Sequence, residues 1–491
     1  MANIFIYDMI FLVLFTIAVV IFLYKKRKNL KREMKIMFLY RTKVGIKFIE
    51  YIGGKYKRTL GFLKYIIIGL GYILMAGIIY LIGKSVYLYV SNPFLITKII
   101  KAPPIAPLIP YFPQLFGMES FFPEFSFTYF IVSISIVAIV HEFSHGIFMK
   151  YNKIKIKSTG IVFLGPILGA FVEQDEKDMD KASKTAQLSV LGAGVFANIV
   201  TGIIFFLIWW GLFYAAFNPI GVNFNNYPQG IVTIGSISSV GGIPINNLTN
   251  NATIDLIDNS NLSRNIIFEL NNNTLVFTKI ISDNQTYYIT KDILISELKT
   301  QSQELILYED LPAINAGLKG RIISIDNKNV PDTKQLKKIL KSYKPQQKVN
   351  IKTVYNNQTL NFDIVLAKDP LNQNRAIIGI SSSIVSKMNI AENFAFFKQL
   401  GTEYEVRNYF LVFIYYLVFW IFLINILVGF FNMLPLSILD GGRFFYLTIW
   451  GITKNEKIAK LVFKWSGRII LFAFLLMMFA YFIGISGIVQ V

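Results

Sequence analysis

The sequence predicts a polytopic α-helical membrane protein of about six transmembrane helices, with an inserted α+β soluble domain and a short re-entrant β-hairpin. Three observations predict it. Of the 491 residues 54% are apolar and 15% aromatic, with only 16% charged, which is too apolar for an ordinary soluble enzyme. Apolar runs long enough for a bilayer core of about 30 Å recur along the chain. Only one pair of these runs encloses a long polar stretch, and that stretch alternates in the manner of strands.

The spans fall at about 4–24, 65–90, 126–147, 186–214, 409–431 and 469–487. The first is no cleaved signal peptide: it lacks a basic leading segment, runs too long and ends in Lys25-Lys26-Arg27-Lys28. Sidedness follows from the Lys and Arg. Residues 25–64 hold fourteen basic and two acidic side chains, 148–187 seven and five, and 443–468 six and one. Their net charges of +12, +2 and +5 account for nineteen of the formal +20. Alternating spans put all three on one side, which is therefore cytoplasmic. Both termini and the polar stretch 218–400 then face outward, as expected for an integral protein of a prokaryotic cell membrane. The charge thus follows membrane sidedness and attraction to anionic headgroups, so the bilayer is a partner and nucleic acid is not. Cysteine is absent, which excludes a thiolate metal site.

The connections carry their own signals. Segment 91–124 holds Pro103, Pro104, Pro107, Pro110 and Pro113, which argues against regular helix. An interfacial flap and a plain connector both fit it. Residues 160–171 are twelve uncharged residues, too few to span, with Gly165 and Pro166 between two short apolar runs. A re-entrant hairpin is tolerated only where protein or a water-filled cavity satisfies its backbone. The polar stretch reads as one α+β module with an amphipathic helix near 332–343 and an insertion at about 245–300. N-x-S/T sequons starting at Asn247, Asn251, Asn261, Asn272, Asn284 and Asn357 all fall there.

Both histidines of the chain lie in one string, His141-Glu142-Phe143-Ser144-His145. This is HExxH, whose i and i+4 imidazoles share a helix face and can grip one metal. Zinc suits two neutral imidazoles plus an oxygen ligand, leaving a fourth position for water. Coordination lowers that water's pKa, and Glu142 can take its proton and pass it to the leaving amine. No charged residue lies between Phe125 and Val140, so the string sits inside a span, where an idle ionisable patch is costly. With a helix rise of ~1.5 Å per residue, His141 lies about 24 Å from Phe125, towards the cytoplasmic face.

A third ligand must sit at similar depth. Tyr409 to Leu439 is uncharged, about 46 Å if helical and too long for one straight span. Pro435 and Gly441-Gly442 give reasons for a break, which would bring Asp440 into the bundle near the histidines. A helix cap or a pair with Arg443 is the alternative use of Asp440.

Together, HEFSH in one membrane helix and Asn432-Met-Leu-Pro-Leu-Ser-Ile-Leu-Asp440-Gly441 ending a later one resemble the site-2 protease family of intramembrane zinc metalloproteases. The resemblance implies that His141, His145 and Asp440 bind one catalytic zinc and that Glu142 is the acid and base. It implies that Asn432 helps hold the scissile carbonyl or its oxyanion. Residues 160–171 resemble the family's membrane-associated hairpin, which would pair with an unwound substrate strand. Residues 192–198 resemble a family stretch in which proline follows the second glycine. Val195 departs from it, and Asn198 is given no chemical role. Leu311 to Lys328 resembles part of a PDZ domain, with Arg321 where an aspartate is usual.

On this basis residues 1–90 are two accessory helices with a basic loop, and 91–217 are the first half of the catalytic core. Residues 218–400 are the PDZ-like extracytoplasmic domain, and 401–491 complete the core. The expected function is an intramembrane zinc metalloendopeptidase cleaving within or near transmembrane segments of membrane proteins (regulated intramembrane proteolysis). A non-proteolytic scaffold with a peptide-binding module, or a polytopic transporter, are the rival readings.

Overall fold

The computed structural model describes residues 2–33, 37–99, 103–119, 121–164, 167–224, 226–245, 266–270, 273–299, 303–381, 399 and 401–486. Contacts divide the chain into a first unit built from Met1–Ala216 and Tyr409–Val491 and a second from Phe217–Met388 and Asn393–Asn408.

The first unit starts with α1 (Ala2–Lys26), whose apolar surface is largely exposed. Its one buried carboxylate, Asp8, accepts hydrogen bonds from the Phe127 and Thr128 amides, both at 2.8 Å, and from the Thr128 and Tyr111 hydroxyls. Those amides open the HExxH helix, where unpaired N–H groups and the helix dipole favour an anion. Ser126 caps the same end.

Next come β1 (Leu30–Glu33) and β2 (Met37–Thr42), then α2 (Ile46–Lys55) and α3 (Lys57–Ser91). The basic loop expected here therefore contains a hairpin, whose short charged strands gave no clear alternation. Short helices α4 (Pro93–Ile99) and α5 (Phe112–Leu115) flank the proline-rich stretch, and α6 (Phe127–Tyr151) follows. Strands β3 (Ile156–Leu164) and β4 (Ile167–Gln174) pair antiparallel as the expected hairpin, whose tip Gly165-Pro166 lies outside the described residues. The four strands form one sheet in the order β1-β2-β3-β4, which leaves β4 as an edge. Arg41 on β2 reaches across β3 to Glu173 on β4 at 2.9 Å. Helix α7 (Glu176–Lys181), capped by Asp175, leads into α8 (Lys184–Ala216).

The second unit contains two large sheets. One runs β16-β15-β13-β5-β19 with β14 added to β13. Its strands are β5 (Phe217–Val222), β13 (Arg321–Ile325), β14 (Lys328–Asn329), β15 (Lys348–Tyr355), β16 (Gln358–Val365) and β19 (Thr402–Val406). The other is built from β6 (Gln229–Thr233), β7 (Ile237–Val240), β8 (Ile243–Pro244), β9 (Ile266–Leu270), β10 (Asn273–Ser282), β11 (Gln285–Thr290) and β12 (Glu304–Glu309). It runs β6-β12-β11-β10-β7-β8, with β9 on β10, and β17 (Ala367–Asp369) and β18 (Asn372–Ile377) form a separate pair. The segment 245–300 thus falls within the span of a sheet whose strands β6, β7 and β12 lie outside it. Short loops such as Asp283-Asn284, Asp326-Asn327 and Asn356-Asn357 have two consecutive positive φ angles, the backbone of tight type I′ hairpins. Sequons at Asn284 and Asn357 lie in such turns; those at Asn247, Asn251, Asn261 and Asn272 lie outside the described residues.

Helix α9 (Lys291–Lys299) belongs with the second sheet; α10 (Pro312–Asn315) and α11 (Thr333–Leu340) pack on the first through Ile314, Leu336 and Ile339. Arg321 pairs with Glu403 of β19 at 2.9 Å. That pairing of β19 with β5 carries this unit to Asn408, past the boundary expected at 400.

The first unit resumes with α12 (Tyr409–Phe431), α13 (Asp440–Thr453) and α14 (Glu456–Ser486). Among the described residues six helices, α1, α3, α6, α8, α12 and α14, are long and apolar enough to cross a membrane. Glycines let α8 and α12 approach closely: a Cβ on Gly202 would lie 2.6 Å from Ile426, and one on Gly429 would lie 2.8 Å from Ile199.

Candidate metal centre

Helical spacing alone puts His141 and His145 on one face of α6, and both rings are buried. Their Nε2 atoms lie 2.9 Å apart. Asp440 Oδ2 lies 3.0 Å from the first and 3.3 Å from the second. The structure therefore brings together the HExxH helix and the Leu-Asp-Gly-Gly turn, almost 300 residues apart in sequence.

How Asp440 gets there is local. Helix α12 stops at Phe431, the chain turns through Pro435, and Asp440 is the first residue of α13. The turn closes with Gly441 N–H donating to the Asn432 carbonyl at 2.7 Å and Gly442 N–H to that of Leu439 at 3.0 Å. A Cβ on Gly441 would lie 2.3 Å from the Met433 carbonyl carbon, and one on Gly442 2.0 Å from the Leu436 oxygen. Only glycine fits either place. Arg443, the alternative partner of Asp440, instead meets Asp180 at 2.9 Å and Glu176 at 3.7 Å.

Glu142 points beside the histidines. One of its carboxylate oxygens accepts the Val172 amide of β4 at 2.9 Å. It opens on a cleft of about 280 Å³ lined by His145, Met149, Val172, Val190 and Asp440. Asn432 enters the arrangement through its main chain, as the carbonyl that closes the Gly441 turn. Its side chain is half-buried and takes no part in the hydrogen bonds around the histidines.

One wall of the centre was missed in the sequence. Val190, Gly194 and Asn198 recur at four-residue spacing along one stripe of α8, and all three touch the histidines. The Val190 carbonyl lies 2.7 Å from His145 Nδ1. The Asn198 amide lies 3.1 Å from His141 Nδ1. Between them a Cβ on Gly194 would sit 2.5 Å from His145 Nε2 and 2.7 Å from His141 Nε2. The signal that could have found it was a lone asparagine, fully buried in an otherwise apolar helix, one turn from a glycine. The absent proline at Val195 was the wrong guide, since Val195 is simply packed in the core.

This arrangement fits a metal. A carbonyl can only accept, so His145 Nδ1 carries the proton and, in the neutral ring, Nε2 presents a bare lone pair. That lone pair faces a second imidazole nitrogen and a carboxylate, three donors with no intervening positive charge. Tetrahedral zinc at its usual bond lengths separates such ligand atoms by roughly 3.3 Å, close to the spacings here. Gly194 leaves open the space beside the two Nε2 atoms, which any other side chain would fill.

An apolar helix bundle around two histidines, a carboxylate and a neighbouring glutamate forms a candidate membrane-embedded metal centre. The comparison with known families agrees: the model of peptidase family M50 matches residues 129–478, and the chain belongs to that family, the site-2 proteases. The chain is also 31% identical over 198 residues to an uncharacterised protein of Methanocaldococcus jannaschii, covering 39% of this chain and 48% of that one. The chain thus spans about half the length of this curated relative. Membership and the six apolar helices together make this an integral membrane protein.

Proposed function

We propose that this protein is a zinc endopeptidase that hydrolyses peptide bonds within or near the transmembrane segments of other membrane proteins. The observation that carries the reading is the convergence of His141, His145 and Asp440 within hydrogen-bond distance of one another, beside Glu142. His141 Nε2, His145 Nε2 and an Asp440 oxygen would hold one zinc. Bound there, the ion would supply Lewis acidity to water and to the scissile carbonyl.

Glu142 has one oxygen held by the Val172 amide, which leaves the other to take a proton from the attacking water and return it to the leaving nitrogen. Asn432 would donate to the carbonyl oxygen as charge develops on it. A helical carbonyl is already hydrogen-bonded and shielded, so substrates must unwind locally. Spans bearing glycine, proline or asparagine are therefore the expected ones. The outer edge of β4, next to Glu142, suits an unwound segment added as a strand. The charge distribution supports a cell-membrane protein with its site towards the cytoplasm and with both termini and residues 218–400 outside. There the second unit would serve as a PDZ-like module in regulated intramembrane proteolysis.

Cleavage of a panel of single-span proteins in liposomes tests this. Wild type should contain about one zinc and cleave. Glu142→Gln should keep the zinc and the unfolding temperature while losing on the order of 10²–10⁴ in rate, the usual share of general acid–base catalysis. Full proteolysis by Glu142→Gln would sink the mechanism.

A further inference from the structure

The two imidazoles must be held so that both Nε2 lone pairs face one point. For His145 the Val190 carbonyl decides this, because an oxygen without hydrogens can only accept the Nδ1 proton. For His141 the neighbour is an amide, whose oxygen and nitrogen ends have the same shape and can be exchanged in place. Two arrangements follow. If the –NH2 end faces the ring, Nδ1 is the acceptor, neutral His141 carries its proton on Nε2, and that nitrogen has no lone pair to give. If the oxygen faces the ring, Nδ1 donates and Nε2 is bare. Asn198 is fully buried, and the end of its amide directed away from His141 has no protein partner among the described residues. One end is unpaired in either arrangement, so hydrogen-bond counting does not choose between them. The metal does.

Resting on the zinc reading above, we propose that Asn198 is the positioning residue of His141. In the zinc-loaded protein Asn198 Oδ1 accepts the His141 Nδ1 proton, which fixes the ring and turns the Nε2 lone pair to the ion. Its counterpart one helical step away is Gly194, which keeps the same space clear. A three-residue stripe of α8 thus performs the outer-sphere task for both histidines, and partners of this kind are worth about 10–100-fold in metal affinity.

The chain's having only two histidines makes the test direct. Zinc affinity, read by competition with a chromophoric chelator, should fall about 10–100-fold in Asn198→Leu and hold in Asn198→Asp, whose carboxylate can only accept. Wild-type affinity in Asn198→Leu overturns the proposal, as does Asn198→Asp binding as weakly as Asn198→Leu. Should the variants fail to fold, zinc-loaded wild type labelled with ¹⁵N-histidine decides. Two slowly exchanging, downfield Nδ1 protons are expected, one per ring. A single such proton, with the other exchanging freely, overturns it. Wild type that binds no zinc at all refutes the metal reading itself, a different result from either failure of Asn198.

Discussion

The two halves of the centre solve one problem in different ways. His145 is oriented by a backbone carbonyl, that of Val190, whereas His141 is oriented by a side chain, that of Asn198. Helix α8 supplies both from the same stripe, with Gly194 between them. The carbonyl tie survives replacement of its own side chain; the amide tie does not. One half of the centre is therefore written in the fold of α8 and the other in a single residue of the sequence, so substitutions along the stripe should differ sharply in effect.

Gly194→Ala should have the largest effect. Its methyl group would occupy the space beside both Nε2 atoms, 2.5 and 2.7 Å away, so zinc affinity should drop by more than about 100-fold, beyond an outer-sphere loss. Metal analysis after dialysis checks this, and retention of stoichiometric zinc would show that the two halves are not joined through this glycine. Asp8→Asn acts at the far end of α6, where the carboxylate accepts two amides and two hydroxyls. A loss of about 1–3 kcal/mol is expected from a buried group left under-satisfied, seen as a lower unfolding temperature in detergent with zinc affinity unchanged. Altered zinc affinity would mean that the position of the whole helix, and not its local ties, orients the rings. Val190→Ala should have the smallest effect on the metal, because it keeps the carbonyl. It should lower stability by about 1–3 kcal/mol through lost packing of a buried side chain while zinc affinity stays within about twofold. A tenfold loss there would erase the distinction between the two ties.

Much of the centre was legible in the sequence because its parts are local. The i and i+4 spacing of His141 and His145 fixes their common face wherever α6 goes. The break follows from Pro435, whose backbone cannot continue a helix, and Gly441-Gly442 let the next helix start hard against the turn. Asn432 was legible as part of a motif, and its main-chain carbonyl closes the turn that presents Asp440. The basic loop 25–64 carries no clear strand alternation; the pairing of Met37–Thr42 with β3 is visible only once Arg41 stands opposite Gly160 and reaches Glu173. The end of the second unit at Asn408 has the same origin, since Thr402–Val406 is a strand only beside β5.

The sequence by itself determined the apolar spans, the placement of charge between them, the metal-binding face of α6 and the turn that presents Asp440. Each depends on periodicity, composition or backbone conformation within a few residues. Tertiary structure alone decided that the stripe Val190, Gly194 and Asn198 faces the histidines. A buried asparagine in an apolar helix has no assigned partner until another helix packs against it. Here the partner is the ring nitrogen that must be held if its opposite nitrogen is to bind metal.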